Sequence, residues 1–308
     1  WSTYGFETAV CYTREFRNPR TDTFKAILYS GLLCIFVFTV VPLAFQGSIG
    51  LGQLVTPAVV DAAGTVVTPA VYDGILAPDI YSGMGVAHAM AHMLGGSALI
   101  EHVLMAMLVL ALVLSIMTSM AGSSRTLYQA SVDGWLPKYL SHVNANGAPT
   151  PAMWTDLGFN LILLLMSDYV FVLAISNVCY ILFNFLNLNA AWIHRIDRPT
   201  WPRPFKAPSW LIAIGTVLAF VNLALMGMGA DIWGAGTLAT GLLAAAMILP
   251  VFFYRHYIVD KGEFPAAMQE DMHLGSEAGV GTRAGILPFL TLAGGAAVIV
   301  IAHAVAVL

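Results

Sequence analysis

Charge is what this chain has least of. Only 10% of its 308 residues are Asp, Glu, Lys or Arg, where a soluble domain carries about a quarter. With 58% hydrophobic residues and a mean hydropathy of +0.79, the chain holds more apolar surface than one aqueous core hides. That excludes a soluble globular domain. The slightly negative net charge of −4 and the lack of a basic patch speak against a nucleic-acid partner. Cysteine is also sparse. Cys11, Cys34 and Cys179 sit in or beside apolar runs, without metal spacing or a disulfide framework, and read as small apolar packers. There is no signal peptide, and the chain begins with Trp1, so it reads as part of a longer protein.

What the chain does have is a series of apolar runs near the bilayer-spanning length of about 20 residues. A partial run begins at Trp1. Complete ones cover Ala26–Phe45, Ser97–Met120, Pro151–Met166, Tyr169–Ile193, Trp210–Gly229, Trp233–Tyr254 and Gly285–Val307. The basic residues order them. Arg14, Arg17, Arg20 and Lys25 follow the first run; Arg125 and Lys138 follow Met120; Arg195, Arg198, Arg203 and Lys206 follow Ile193; Arg255, Lys261 and Arg283 follow Tyr254. Residues 46–96, 167–168 and the turn around Asp231 carry no Lys or Arg. All thirteen therefore fall in alternate loops, and the side they share is cytoplasmic. The expectation is an all-α, multi-pass protein of the cytoplasmic membrane with loop 46–96 outside.

That outer loop contains an echo, VTPAVVD at Val55–Asp61 and VTPAVYD at Val67–Asp73. Its Val and Thr, with a turn between, allow a two-stranded ribbon. The stretch DIYSGMGVAHAMAHMLGG reads as a short surface helix. His88 and His92 lie four apart on it, and His102 follows. HxxxH can ligate a metal or haem, or simply form a packing face. With His303 this keeps open a second function, a haem- or metal-binding membrane subunit. Between Tyr254 and Arg283 a polar, mildly acidic stretch reads as a cytoplasmic linker.

Three motifs carry a resemblance. GFETAVCYTREFRNPRTDTFKAI from Gly5 resembles the end of the sixth helix of the amino acid–polyamine–organocation transporter superfamily. AGSSRTLYQASVDGWLPKYLSHVNANGAPTPA from Ala121 resembles the loop after that family's eighth helix. RPTWPRPFKAP from Arg198 resembles its Arg-Pro-Phe-Lys-x-Pro segment after the tenth. The resemblance implies the second half of an inverted-repeat, five-plus-five helix fold with additional C-terminal helices. Residues 1–193 would be the second repeat, from a partial sixth helix to the tenth; 194–256 two further helices with their preceding loop; 257–284 the linker; and 285–308 an extra helix. It also implies a preceding repeat of five helices, absent from this sequence.

The opening residues carry the functional expectation. Irregular backbone at membrane depth survives only where protein or a water-filled cavity covers it. Gly5 lowers the cost of leaving helical geometry, and Ser2, Thr3 and Tyr4 bring hydroxyls. By resemblance this is an unwound break that holds an amino acid's charged groups, with Trp1 as an aromatic gate. Glu7 would cost about 2.5–3.5 kcal/mol facing lipid at a helix centre. It is a proton-coupling or closure residue, or a hydrogen-bonded structural one. By resemblance Thr118 and Ser119 complete a sodium site, although such hydroxyls also bond their own helix. Arg125 and Asp133 are read as an inner-gate pair, or Arg125 as a topology anchor. Asp156 and Asn160 share a face at i, i+4 and read as links between helices.

The implied function is secondary active transport of amino acids or related organic amines by alternating access, as symport or exchange. It is not an enzyme; no cofactor is expected beyond a coupling H⁺ or Na⁺, and membrane lipid is the expected surround. A third reading is a non-transporting, truncated paralogue that acts as a scaffold.

Overall fold

In a computed structural model, residues 6–60, 66–68, 70–74, 77, 84–166, 169–203, 205–271 and 283–307 are described. A 3-10 helix over Phe6–Glu15 leads into α1, Pro19–Ile49. Pro19 opens α1 where a missing N–H is harmless, and Asn18 precedes it. The Asn18 amide donates to Asp22 Oδ2 at 3.1 Å. Strands β1 (Leu54–Thr56), β2 (Val59–Val60), β3 (Val66–Thr68) and β4 (Val71–Tyr72) follow. Then come α2 (Met84–Met93), α3 (Ala98–Val132), α4 (Thr150–Met166), α5 (Tyr169–Asp197), α6 (Ser209–Gly229), α7 (Thr237–Ala246) and α8 (Ile248–Phe253). A π-helical turn at Tyr254–Val259 ends α8, and α9 (Ala266–Asp271) and α10 (Leu287–Val307) complete the chain.

Six of the described helical stretches are long and apolar enough to cross a membrane: Pro19–Ile49, Ala98–Val132, Val170–Asp197, Ser209–Trp233, Thr237–Val259 and Leu287–Ala306. Helix α4, at 17 residues, sits at the short end of the spanning range of about 17–25. The expected apolar runs therefore become helices, several with polar extensions. Helix α3 runs twelve residues past Met120, so Arg125 is helical rather than in a loop. The echo in the outer loop forms the ribbon. Leu54 faces Tyr72, Thr56 faces Val71, Val59 faces Thr68 and Val60 faces Val66, all antiparallel. Pro57, which has no N–H for the ladder, separates β1 from β2.

Two compact units divide the chain, residues 1–122 and 123–308. The division falls inside α3. The core of the second unit joins α5, α6, α7 and α10 through Val178, Phe185, Leu223, Met226, Leu238 and Ile299. Phe185 meets the edge of Phe220 with ring centroids 5.0 Å apart. Lipid tails are as apolar as Leu, so packing, rather than exclusion from water, must hold these helices together. Two glycines permit it. A Cβ on Gly227 of α6 would lie 2.7 Å from the Ile299 carbonyl of α10, and one on Gly295 of α10 would lie 2.7 Å from Phe185 Cζ. Gly158 on α4 faces open space.

Gly227→Val should therefore cost about 1–3 kcal/mol by overpacking a backbone contact and lower the thermal unfolding midpoint in detergent. Gly158→Ala should leave that midpoint unchanged or raise it slightly.

Candidate functional site

In the first unit the 3-10 segment lies against α3. The contact is made at Gly122, where an added Cβ would be 3.1 Å from Thr8 Cγ2 and 4.0 Å from the Tyr12 hydroxyl. Thr118 and Ser119 stand four and three residues earlier on α3, on the face that Gly122 shares. Thr118 Oγ1 donates to its own Leu114 carbonyl, the back-bonding that Thr commonly adopts in helices. A ten-residue 3-10 helix is unusually long, since its hydrogen bonds are poorer than those of an α-helix and most runs stop after three or four residues. Trp1, Ser2, Thr3, Tyr4, Gly5 and the side chain of Glu7 lie outside the described residues.

In the second unit, α3 and α4 are joined by polar side chains. Ser123 donates to Asp156 Oδ2 at 2.6 Å, and Asn160 Nδ2 reaches the Asp156 carbonyl at 2.9 Å. Asp156 thus links two helices, as its face predicted. Asp133 Oδ1 accepts from Gln129 Nε2 at 2.7 Å. Arg125 lies eight residues before Asp133, about two helical turns away.

Beyond Asp133 the chain turns sharply. Gly134 has a φ of +89° and would carry a Cβ 2.6 Å from Pro265 Cδ, so no other residue fits there. Ser131 Oγ donates to the Pro137 carbonyl at 2.7 Å and closes the turn. The loop then grips the end of α8. Arg255, 3% exposed, donates from Nη1 to the Leu136 carbonyl at 2.8 Å and from Nε to Asp260 Oδ2. Lys138 Nζ sits 2.9 Å from Asp260 Oδ1. Trp135 stacks on Phe252, centroids 4.8 Å apart. Burial opposes ionisation of Asp260, but the hydrogen bonds and charges of Arg255 and Lys138 outweigh it and hold its pKa below the ordinary carboxylate value. Sequence reasoning treated Arg255 as a topology anchor and passed over Asp260. The signal was present in YRHYIVDK, one acid among cations, but the partner carbonyl at Leu136 lies 119 residues away.

The histidines scatter. His88 Nδ1 lies 3.5 Å from Glu101, His102 Nδ1 lies 2.6 Å from its own Ala98 carbonyl, and His303 lies 4.0 Å from Asp231. Among the described residues, no three His, Cys, Asp or Glu side chains gather in a way that could hold a metal ion.

A family model described as amino acid permease matches residues 1–253. This chain belongs to the amino acid permease family. No curated protein and no solved structure matches it. The permease is an integral, multi-pass membrane protein, and a plasma-membrane location is consistent with its family and its apolar helices. Membership points to amino acid transport, a transporter's work rather than an enzyme's.

The permease's Arg255–Asp260–Lys138 clamp has a signed pH dependence. Asp260 is depressed relative to an unfolded pKa of about 3.9, so its contribution is present above that value and is lost as pH falls through the lower folded pKa. Asp260→Asn leaves Arg255 buried without its counter-charge and should cost about 3–5 kcal/mol. Lys138→Ala, at an exposed partner, should cost about 1 kcal/mol or less. Thermal unfolding in detergent at neutral pH should show that order.

Proposed function

We propose that this permease moves an amino acid or a related organic amine by alternating access, as a symporter or exchanger coupled to H⁺ or Na⁺. In this reading Trp1, Ser2, Thr3, Tyr4 and Gly5 contact substrate, Glu7 couples protonation or closure, and Thr118 with Ser119 offers oxygens to a cation. Arg125 and Asp133 belong to the inner gate.

The observation that carries the reading is the seat of the N-terminal segment on α3 at Gly122, one turn from the hydroxyl pair. A substrate break immediately before Phe6 would then be close to the oxygens that a hard cation takes. Thr118 donates its hydroxyl hydrogen bond to the Leu114 carbonyl, which leaves the lone pairs of its oxygen as acceptors for a cation. The long 3-10 segment between the proposed break and α1 supplies a stretch able to change its winding, as functional hinges do. Substrate and ion would drive the cycle only by their differential affinity for the outward- and inward-open states.

Uptake by the full-length protein in vesicles tests this. Gly122→Ala adds one methyl against Thr8 and should retain transport, whereas Gly122→Val should reduce it roughly tenfold at unchanged expression, by misplacing the segment. Glu7→Gln should alter the pH profile of uptake. Thr118→Ala with Ser119→Ala should weaken sodium stimulation by roughly tenfold or more, the worth of one or two hydrogen bonds to a charged group. Normal uptake by Gly122→Val, with sodium and pH responses unmoved in the other variants, would contradict the assignment.

A further inference from the structure

A groove of about 470 Å³ runs between the cytoplasmic half of α5 and the first turns of α10. Its long wall is apolar, with Leu186, Ile193 and Leu292 among its lining, and its end nearest the loop is polar, with His194, Asp197 and Arg198. Both helices span the membrane by length and composition, so the groove runs from bilayer depth to the inner surface.

The polar end carries one arginine, Arg198, beside one carboxylate, Asp197, and the loop that follows is rich in cations. Residues 194–207 hold Arg195, Arg198, Arg203 and Lys206 against one carboxylate, Asp197. Asp197 Oδ1 accepts the Ala284 amide at 2.7 Å, which places exposed Arg283 one residue from the groove's mouth. Arg203 organises this end. It donates to the carbonyls of His194 at 3.1 Å and Arg198 at 2.9 Å, satisfying the end of α5. It also donates to His194 Nδ1 at 2.9 Å. An arginine has no lone pair to give, so His194 accepts on Nδ1 and carries its proton on Nε2. Arg198 is 8% exposed and lies over the Trp201 ring at 4.9 Å, which holds its charge in place. The groove therefore joins a greasy channel to one fixed cation, Arg198, and a neutral N–H donor, with Arg283 one residue from its mouth.

We infer that this groove is a binding site for one anionic glycerophospholipid of the cytoplasmic leaflet, its acyl chain along Leu186, Ile193 and Leu292 and its phosphate at Arg198 and Arg283. Basic pockets between membrane helices on the cytoplasmic side suit such headgroups. A zwitterionic lipid gains less, because its own cation meets the same arginines. The site is independent of what the permease carries. A lipid here would bridge α5 to α10 across the groove and add to the contact at Asp197.

The test uses the full chain in vesicles of equal parts phosphatidylcholine and phosphatidylglycerol, purified in detergent, with retained lipid counted by mass spectrometry. Phosphatidylglycerol should be retained in excess of phosphatidylcholine. Arg198→Gln and Arg283→Gln should each reduce that excess about fivefold, the worth of one cation near an anionic surface. Ala190→Trp, at an exposed position on the groove wall, fills the groove without altering charge and should abolish the excess. Retention that mirrors the vesicle composition would overturn the inference. So would an excess that survives Ala190→Trp, which would assign it to general surface charge, or one displaced by inorganic phosphate, which would make this a small-anion site.

Discussion

An amide or carbonyl without a partner costs several kcal/mol in hydrocarbon, and most of this molecule is arranged by that constraint. Long α-helices satisfy it internally, which is why the apolar runs become helices of up to 35 residues. The same cost makes the departures informative. The described helical backbone leaves regular α geometry at the 3-10 segments Phe6–Glu15, Lys138–Ser141 and Ala230–Trp233, at Met247 between α7 and α8, and at the π turn Tyr254–Val259. Pro42 removes one hydrogen bond from α1, which continues past it. The π turn lies at the cytoplasmic end of α8, where Asp260 N–H reaches the Arg255 carbonyl at 3.0 Å. The N-terminal segment is the long departure, and it rests on α3 at a glycine.

Packing follows a second rule, that in lipid helices hold to one another through close approach and polar contacts. Gly227 lets α6 meet the α10 backbone, and Gly295 lets α10 meet Phe185 of α5 and Leu223 of α6. The Ser123–Asp156 bond ties α3 to α4, and the Arg255–Asp260 pair with the Leu136 carbonyl ties the loop after α3 to the end of α8. Both polar ties belong to the second unit, as does the lipid groove.

Membrane spans were legible because they depend on local composition, a sufficient length of apolar residues. The ribbon was legible because the VTPAV echo pairs with itself. Helix ends were less so. Hydropathy marks the apolar stretch, so α3 was expected to stop near Met120, while its helix continues through Ser123, Arg125 and Gln129, whose polarity marks leaving the bilayer rather than ending a helix. Asp156, expected to link helices, bonds Ser123 of α3, whereas Asn160, expected to do the same, bonds back to Asp156 on its own helix. Arg255 was read only as a charge on the cytoplasmic side. Its burial and its bond to Leu136 depend on a tertiary approach between residues 119 apart, which no local pattern encodes. The motifs that resembled a transporter family lie within the residues the permease model matches.

The central claim is that the N-terminal segment and the Thr118–Ser119 face of α3 border one aqueous, substrate-occupied cavity. It is tested most directly by placing a single cysteine at Ser119 in a protein whose Cys11, Cys34 and Cys179 have been replaced, and measuring its reaction with a membrane-impermeant thiol reagent. The account predicts labelling from the aqueous phase that slows when the transported amino acid is added. A thiol that never reacts, or that reacts at the same rate with and without every transported substrate, would contradict it.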